Sequence, residues 1–424
     1  MKDVLMLLNE WWKTGSISKE KAREYRRKVF PEAKETFLKY RQILVLNGLR
    51  RVGKSTIIYQ LIEELLKSGA DPKRIVYFTF DEAVDDPIRI IEEYSKITKV
   101  DWRKGKTFVF FDEIQKLKNW SSKIKILYDN FPNLRICVSG SASLTIEKEA
   151  IKDLAGRYFS IKVNPLDLQE FAELHSGKKM GNFELYEPEL SKLLDEYIRK
   201  PFPEIVSWED MSKVNQYIKE LVIEKIVKTD IPQAFGDINI SLLSSLVEIF
   251  MKDAGMILDV TSLSKELGVN KMAVYRHISL LEFGNLIAVV KNYRPSVRAE
   301  SRKLKKVYPV HIALSLCYYP KLGEGKVLES LVCSSLGLER YWRKGGKEVD
   351  FLKTDGEIVP IEVKDKEKID KGDTKNILYF MKKHGIAKGF VVYSGRDVKT
   401  LKSGKKAIVL YPVHRLLFDF SLGD

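Results

Sequence analysis

Gly48-Leu49-Arg50-Arg51-Val52-Gly53-Lys54-Ser55 reads GxxxxGK[ST], and it stands between an apolar run, Ile43 to Leu46, and an amphipathic segment that begins at Lys54. Strand, glycine-bracketed turn and helix in that order make a cradle for phosphate. The turn aims successive backbone N–H groups inward, and the helix offers the positive end of its dipole. On this reading the loop from Gly48 through Arg51, Val52 and Gly53 to Lys54, Ser55 and Thr56 holds the phosphates of ATP. The Lys54 ammonium reaches the β and γ phosphates, and the Ser55 hydroxyl ligates Mg2+. Downstream, Ile57, Ile58, Leu61, Ile62, Leu65 and Leu66 share one face of a helix that halts near Gly69.

Working outward, apolar runs at Ile75 to Phe80, Phe108 to Phe111 and Leu134 to Val138 alternate with helical patterns at Ile88 to Ile97 and Trp120 to Phe131. That alternation predicts an α/β fold over residues 43–165, a P-loop NTPase parallel sheet with helices on both faces. Phe108-Val109-Phe110-Phe111-Asp112-Glu113 ends a strand on two carboxylates, the Walker B pattern. Asp112 would hold the metal, and Glu113 would orient or deprotonate the attacking water. Asp81 and Glu82 close another strand on acids. Ser139-Gly140-Ser141-Ala142-Ser143 is either a polar sensor of the γ phosphate or an ordinary serine-capped turn. Arg157, in Leu154-Ala155-Gly156-Arg157-Tyr158, is a candidate charge-neutralising arginine, acting in cis or in trans; a surface ion pair explains it as well.

At 424 residues the chain exceeds one ordinary core, and 44% hydrophobic residues suffice for several. The reading divides it into an N-terminal helical region (1–42), the ATPase core (43–165), a helical lid or linker (166–239), a winged helix (240–312) and a C-terminal α/β module (320–424). Lys19 to Lys28, KEKAREYRRK, reads as a solvated or nucleic-acid-facing stretch. The net charge of +15 suits a polyanionic partner, although scattered surface lysines produce the same sum. Three dispersed cysteines support neither a disulfide framework nor a zinc site. No cleavable signal and no apolar run of membrane length is visible, so a cytoplasmic protein with no membrane partner is expected.

GLRRVGKST, YFTFDE, FFDEIQ, SGSAS and LAGRY followed by NPLDLQEF resemble the archaeal and bacterial AAA-type ATPases whose C-terminal half is a domain of unknown function with a nuclease-like end. The likeness runs from about residue 20 to 395. It implies nucleotide contacts at Gly53, Lys54, Ser55, Asp112 and Glu113, with Arg157 as arginine finger or sensor. One departure is Arg199-Lys200-Pro201-Phe202-Pro203, where similar proteins tend to carry Gly-Gly-Phe-Pro.

Two further patterns carry chemistry. Thr261 to Gly268 followed by Asn270 to Leu281 has helix-turn-helix spacing, with Lys271, Tyr275 and Arg276 on its second helix. The next stretch, Lys291 to Lys306, holds seven basic residues including Arg294 and Arg298 against Glu300 alone. Duplex or branched DNA is the partner this suggests, and a protein partner or second copy is the alternative. Near the C-terminus Glu329, Asp350, Glu362 and Lys364 form the E, D, ExK series of the PD-(D/E)xK nuclease constellation, which the module also resembles. On a strand Glu362 and Lys364 share a face, so the three carboxylates would hold Mg2+ while Lys364 activates water. A Mg2+-dependent ATPase that binds DNA and cuts it is one reading. A nucleotide-switched scaffold using an inactive nuclease fold for docking is the other.

Overall fold

The computed structural model describes residues 1–83, 85–140, 153–294 and 304–418. The chain divides into two compact units, Met1–Asn164 with Lys228–Ile238, and Pro165–Val227 with Asn239–Asp424. Ser141 and Ser143 of the sensor segment, and Arg298 of the basic stretch, lie outside the described residues.

The first unit is built on five parallel strands, β1 (Ile43–Asn47), β2 (Ile75–Thr79), β3 (Thr107–Asp112), β4 (Leu134–Gly140) and β5 (Tyr158–Lys162), in the order β2-β3-β4-β1-β5. β1, β2 and β3 are buried along their whole length, which is why they read as unbroken apolar runs. β4 lies between β1 and β3, so the phosphate loop and the acidic tip of β3 stand two strand spacings apart, roughly 10 Å. Ser139 lies one residue before the end of the strand between them. The helix Pro87–Thr98 starts where Asp86 accepts the Ile88 N–H at 3.0 Å.

The N-terminal region, expected to be helical over residues 1–42, is helical in part. Helices span Lys2–Leu8, Trp11–Thr14 and Phe30–Lys39, and Lys19 to Lys28 is not helical. Tertiary bonds outweigh local propensity here. The Gln60 amide donates to the Arg23 and Tyr25 carbonyls at 2.7 and 2.8 Å, and Arg26 pairs with Glu63. The stretch therefore lies along the helix Lys54–Lys67. Upstream, Asn9 exchanges two hydrogen bonds with Tyr77, Nδ2 to the carbonyl at 2.9 Å and backbone N–H to Oδ1 at 2.7 Å. Trp11 and Trp12 both donate to the Ile75 carbonyl. These side chains satisfy the free edge of β2, which would otherwise be open to strand pairing.

In the second unit, helices Leu168–Ser176, Phe183–Tyr197, Met211–Gln216, Ile240–Lys252, Val260–Glu266 and Lys271–Phe283 accompany a nine-stranded sheet. Its strands are β6 (Met256–Leu258), β7 (Ile287–Asn292), β8 (Lys305–Pro309), β9 (Arg340–Lys344), β10 (Lys347–Lys353), β11 (Val359–Lys364), β12 (Lys388–Tyr393), β13 (Lys399–Ser403) and β14 (Lys406–Pro412). The order is β13-β14-β12-β11-β10-β9-β7-β8-β6. β7 pairs in parallel with β9 through Lys291 and Asn292, so the strands after the helix-turn-helix and those of the C-terminal module share one sheet. The helix Glu324–Ser335 packs Leu328, Leu331 and Val332 into a core with Phe351, Ile361 and Phe390. Phe202 is fully buried and the Pro201 carbonyl accepts from Leu166 N at 2.9 Å, so the segment that departs from Gly-Gly-Phe-Pro is packed in place.

Candidate functional site

The phosphate loop is shaped by its backbone. Gly48 has φ +152°, and a Cβ there would lie 2.1 Å from the Val163 carbonyl oxygen, so no other residue fits. Arg51 and Gly53 take left-handed conformations at φ +68° and +96°, turning the chain into the helix Lys54–Lys67. Arg27, which the sequence assigned to a solvated stretch, is buried. Its guanidinium donates to the Val52 carbonyl at 2.7 Å and the Asn164 carbonyl at 2.9 Å, holding the loop from beneath.

Lys54 is 5% exposed, and its ammonium donates to the Gly48 and Leu49 carbonyls at 3.2 and 3.0 Å. Burial lowers its pKa, opposed by the charges of Glu113 and Asp112. Among the described residues no carboxylate forms an ion pair with it. A buried cation left without a contacting anion, at the start of a 14-residue helix, is a fit for phosphate. Beside it Arg50 Nη1 lies 3.2 and 3.3 Å from the two oxygens of Asp230, whose carboxyl burial pushes upward. Asp230 was not legible as a neighbour, being 180 residues away in sequence.

Asp112 is buried with its carboxylate fixed by three donors. Oδ1 accepts from the Glu113 N–H at 3.0 Å and from the Ser139 hydroxyl; Oδ2 accepts from the Tyr77 hydroxyl at 3.0 Å. Ser139 thus serves the metal-side carboxylate. Glu113 takes φ +51°, uncommon for a residue with a side chain, so the chain turns sharply as the strand ends. Its carboxylate accepts from the Gln115 amide, and burial raises its pKa, with Lys54 opposing and Asp112 adding. Asp81 pairs with Lys116. An oriented carboxylate and the hydroxyl of Ser55 are the hard oxygen donors Mg2+ takes, so Ser55 and Asp112 fit the ion.

Arg157 does not join this site within one chain. Tyr158 pairs with Ile43, and the Ile43 N–H donates to the Arg157 carbonyl at 2.8 Å, so Arg157 sits at the edge where β1 begins. The phosphate loop follows the other end of β1, roughly 13 Å away at the rise of a strand. The guanidinium is engaged by both oxygens of Asp129, at 2.8 and 3.2 Å, and is partly exposed.

In the second unit Lys271, Tyr275 and Arg276 are exposed on the helix Lys271–Phe283, whose first turn Asn270 caps through the Ala273 N–H at 2.8 Å. His277 is buried, its Nδ1 2.7 Å from the Ala273 carbonyl. Arg294 is folded back, donating to the Tyr293 and Arg343 carbonyls at 2.9 and 2.6 Å. Lys306, one of the seven basic residues assigned to a DNA-facing stretch, is buried.

The structure brings Glu329, Asp350, Glu362 and Lys364 into one cluster but fills it with cations. Lys364 lies 2.8 Å from Glu362 Oε1 and 3.8 Å from Asp350 Oδ2. Lys306 lies 2.9 Å from Glu329 Oε1 and 2.6 Å from Glu348 Oε1. Tyr308 also donates to Glu329, and Asp350 Oδ2 accepts the Val363 N–H at 2.8 Å. Burial, reinforced by Glu329, pushes Asp350 up to about 6, and burial with Asp350 pushes Glu362 up to about 8. Among the described residues no group of three or more His, Cys, Asp or Glu side chains is placed to hold a metal ion. In the expected metal set Glu329 Oε1 is engaged by Lys306 and Tyr308, Asp350 Oδ2 by the Val363 N–H and Lys364, and Glu362 Oε1 by Lys364. Lys306, Tyr308 and Glu348 are the members sequence reasoning missed.

Residues 40–172 match the family model described as an AAA domain, residues 191–319 a domain of unknown function (DUF8612), and residues 321–413 another (DUF4143). With the loop and sheet described above, the first match supports a P-loop ATPase. Two uncharacterized proteins of Methanocaldococcus jannaschii are similar. One is 26% identical over 329 residues, covering 73% of this chain and 72% of that protein. The second is 23% identical over 431 residues, covering 91% and 89%. An uncharacterized protein of Haemophilus influenzae is 25% identical over 353 residues, covering 80% and 86%. Among solved structures, the Walker-type ATPase of Pyrococcus abyssi aligns with TM-score 0.46 and 15% identity, covering 72% of this chain and 99% of that one. At that distance the likeness carries no functional argument. No helix among the described residues is long and apolar enough to cross a membrane.

Proposed function

We propose that the first unit binds Mg2+-ATP and hydrolyses it to ADP and phosphate. The observation that carries this is Lys54: a buried ammonium with no ion-pair partner among the described residues, at the phosphate loop and under the charges of Asp112 and Glu113. Lys54 and the loop amides from Gly48 to Thr56 bind the phosphates and orient the γ group. Mg2+, held by Ser55 and Asp112, would neutralise charge between the β and γ phosphates when bound. Glu113 takes the proton of the water whose oxygen attacks the γ phosphorus as the bond to the bridging oxygen breaks. Burial raises its pKa above the ordinary carboxylate value, which makes it a better proton acceptor. Gln115 holds that carboxylate, and Arg157 can contribute only from a neighbouring copy. Glu113→Gln should retain ATP and turn it over at least about 100-fold more slowly. Turnover by the variant at the wild-type rate removes Glu113 from this role.

For the second unit we infer DNA contact through the helix Lys271–Phe283. Its exposed Lys271, Tyr275 and Arg276 suit phosphates and base edges, and the chain's net charge of +15 favours a polyanion. Binding to duplex and branched DNA should weaken with salt, and the joint variant Lys271→Ala/Arg276→Ala should reduce the salt slope by about two. An unchanged slope sends that helix to a protein partner. The C-terminal cluster is read as a docking element and not as a nuclease, because its carboxylates are already paired with lysines. Cleavage of linear or branched DNA in Mg2+, lost in Asp350→Ala and Lys364→Ala, would reverse this.

A further inference from the structure

Beyond the ATPase reading, which it does not require, we propose that Lys306 is a tethered cation standing in the place of a divalent ion, so that the C-terminal carboxylate cluster needs no metal. Lys306 and Tyr308 alternate onto one face of β8, and both reach Glu329 on the helix Glu324–Ser335. Glu348 and Asp350 share a face of β10, and Glu362 and Lys364 share a face of β11. Four carboxylates thus face two lysines, with Arg343 Nε 3.5 Å from the outer oxygen of Glu348.

Three features set Lys306 apart from an ordinary surface pair. Its side chain is 7% exposed, so its charge is stabilised by the carboxylates and not by water. It bridges two of them, Glu329 at 2.9 Å and Glu348 at 2.6 Å, as a bound cation does. Its ammonium also lies 5.3 Å from the Tyr341 ring, whose face favours positive charge. A divalent ion ligated by the same oxygens would have to expel this ammonium from a site where it has no water to retreat to. One acceptor is left over: Oε2 of Glu362, in a side chain 4% exposed, has no hydrogen-bond partner among the described residues. Asp350 acts electrostatically on both Lys306 and Glu362, so that oxygen belongs to the same cluster and is the acceptor left open to a divalent ion once the lysine is removed.

Manganese binding to the full-length chain, followed by electron paramagnetic resonance of free Mn2+, tests this. All samples carry Asp112→Asn, so that the P-loop contributes no ion. The Asp112→Asn protein should show no saturable Mn2+ site tighter than about 1 mM. Adding Lys306→Met should create one site at least about tenfold tighter, and Glu362→Gln on that background should abolish it again. A tight site in the Asp112→Asn protein that disappears with Glu362→Gln overturns the proposal, as does a folded Lys306→Met variant that gains no site. If Lys306→Met does not fold, the first titration and the smaller change Lys306→Gln decide by the same criteria.

Discussion

Tyr77→Phe removes one hydroxyl from the least exposed part of the nucleotide site. In the intact protein that hydroxyl donates to Asp112 Oδ2 at 3.0 Å, and burial with the nearby Asp112 charge holds the phenol well above its ordinary pKa, so it remains a donor. The ring is 2% exposed and packs 4.9 Å from Tyr59, so phenylalanine fits without a cavity. The loss is therefore one hydrogen bond to a charged acceptor, about 1.5–3 kcal/mol. Asp112 keeps the Glu113 N–H and the Ser139 hydroxyl, both on Oδ1, and loses the one donor on Oδ2 found among the described residues. Its rotation is no longer fixed. Partners that orient a ligating carboxylate typically carry about 10–100-fold in metal affinity or activity. The Mg2+ concentration for half-maximal ATPase should rise about tenfold or more in Tyr77→Phe, alongside a loss of about 2 kcal/mol in urea unfolding of the first unit. A variant destabilised as expected but with unaltered Mg2+ dependence would refute the view that Tyr77 orients the metal-side carboxylate.

Two other outcomes follow from geometry and burial. Arg157→Ala should leave ATP affinity of the monomer within about twofold of wild type, because surface ion pairs contribute little and the guanidinium lies at the far edge of β1; a weakening of about tenfold would bring Arg157 into the cis site. His311 is buried, its Nδ1 accepting the Ala313 N–H at 3.2 Å, and burial lowers its pKa from 6.5 to about 3. Between those values the unfolded chain binds the extra proton, so stability is full above about 6.5 and falls as pH drops. His311 should contribute a loss of about 2 kcal/mol between pH 7.5 and 5, opposed by the raised carboxyls of Asp350 and Glu362 and read as the difference in slope between wild type and His311→Gln; equal slopes in the two proteins exclude His311 as its source.

What the sequence made legible was local. The octapeptide at Gly48 to Ser55 and the apolar run ending on Asp112 and Glu113 specify their own strand, turn and helix, and the structure keeps them in that register. What it hid was carried by contacts distant along the chain. Arg27 looks like one more charge in KEKAREYRRK, and only folding puts its guanidinium beneath Val52. Arg157 was read from its local sequence and from resemblance, neither of which says which strand edge the residue occupies. Lys306 closes a basic run and so read as a phosphate contact. β8 is buried from Lys306 to Pro309 while Lys305 is half-buried, and the apolar residues Val307 and Tyr308 that follow were the signal that could have raised the question.

Calorimetric titration of ATP with millimolar Mg2+ into the wild-type chain and into Lys54→Ala tests the central claim most directly. The account predicts one saturable site per chain in the wild type and none in the variant, with the two proteins unfolding at the same temperature. Absence of binding heat from folded wild-type protein, or an equal site in Lys54→Ala, would contradict it.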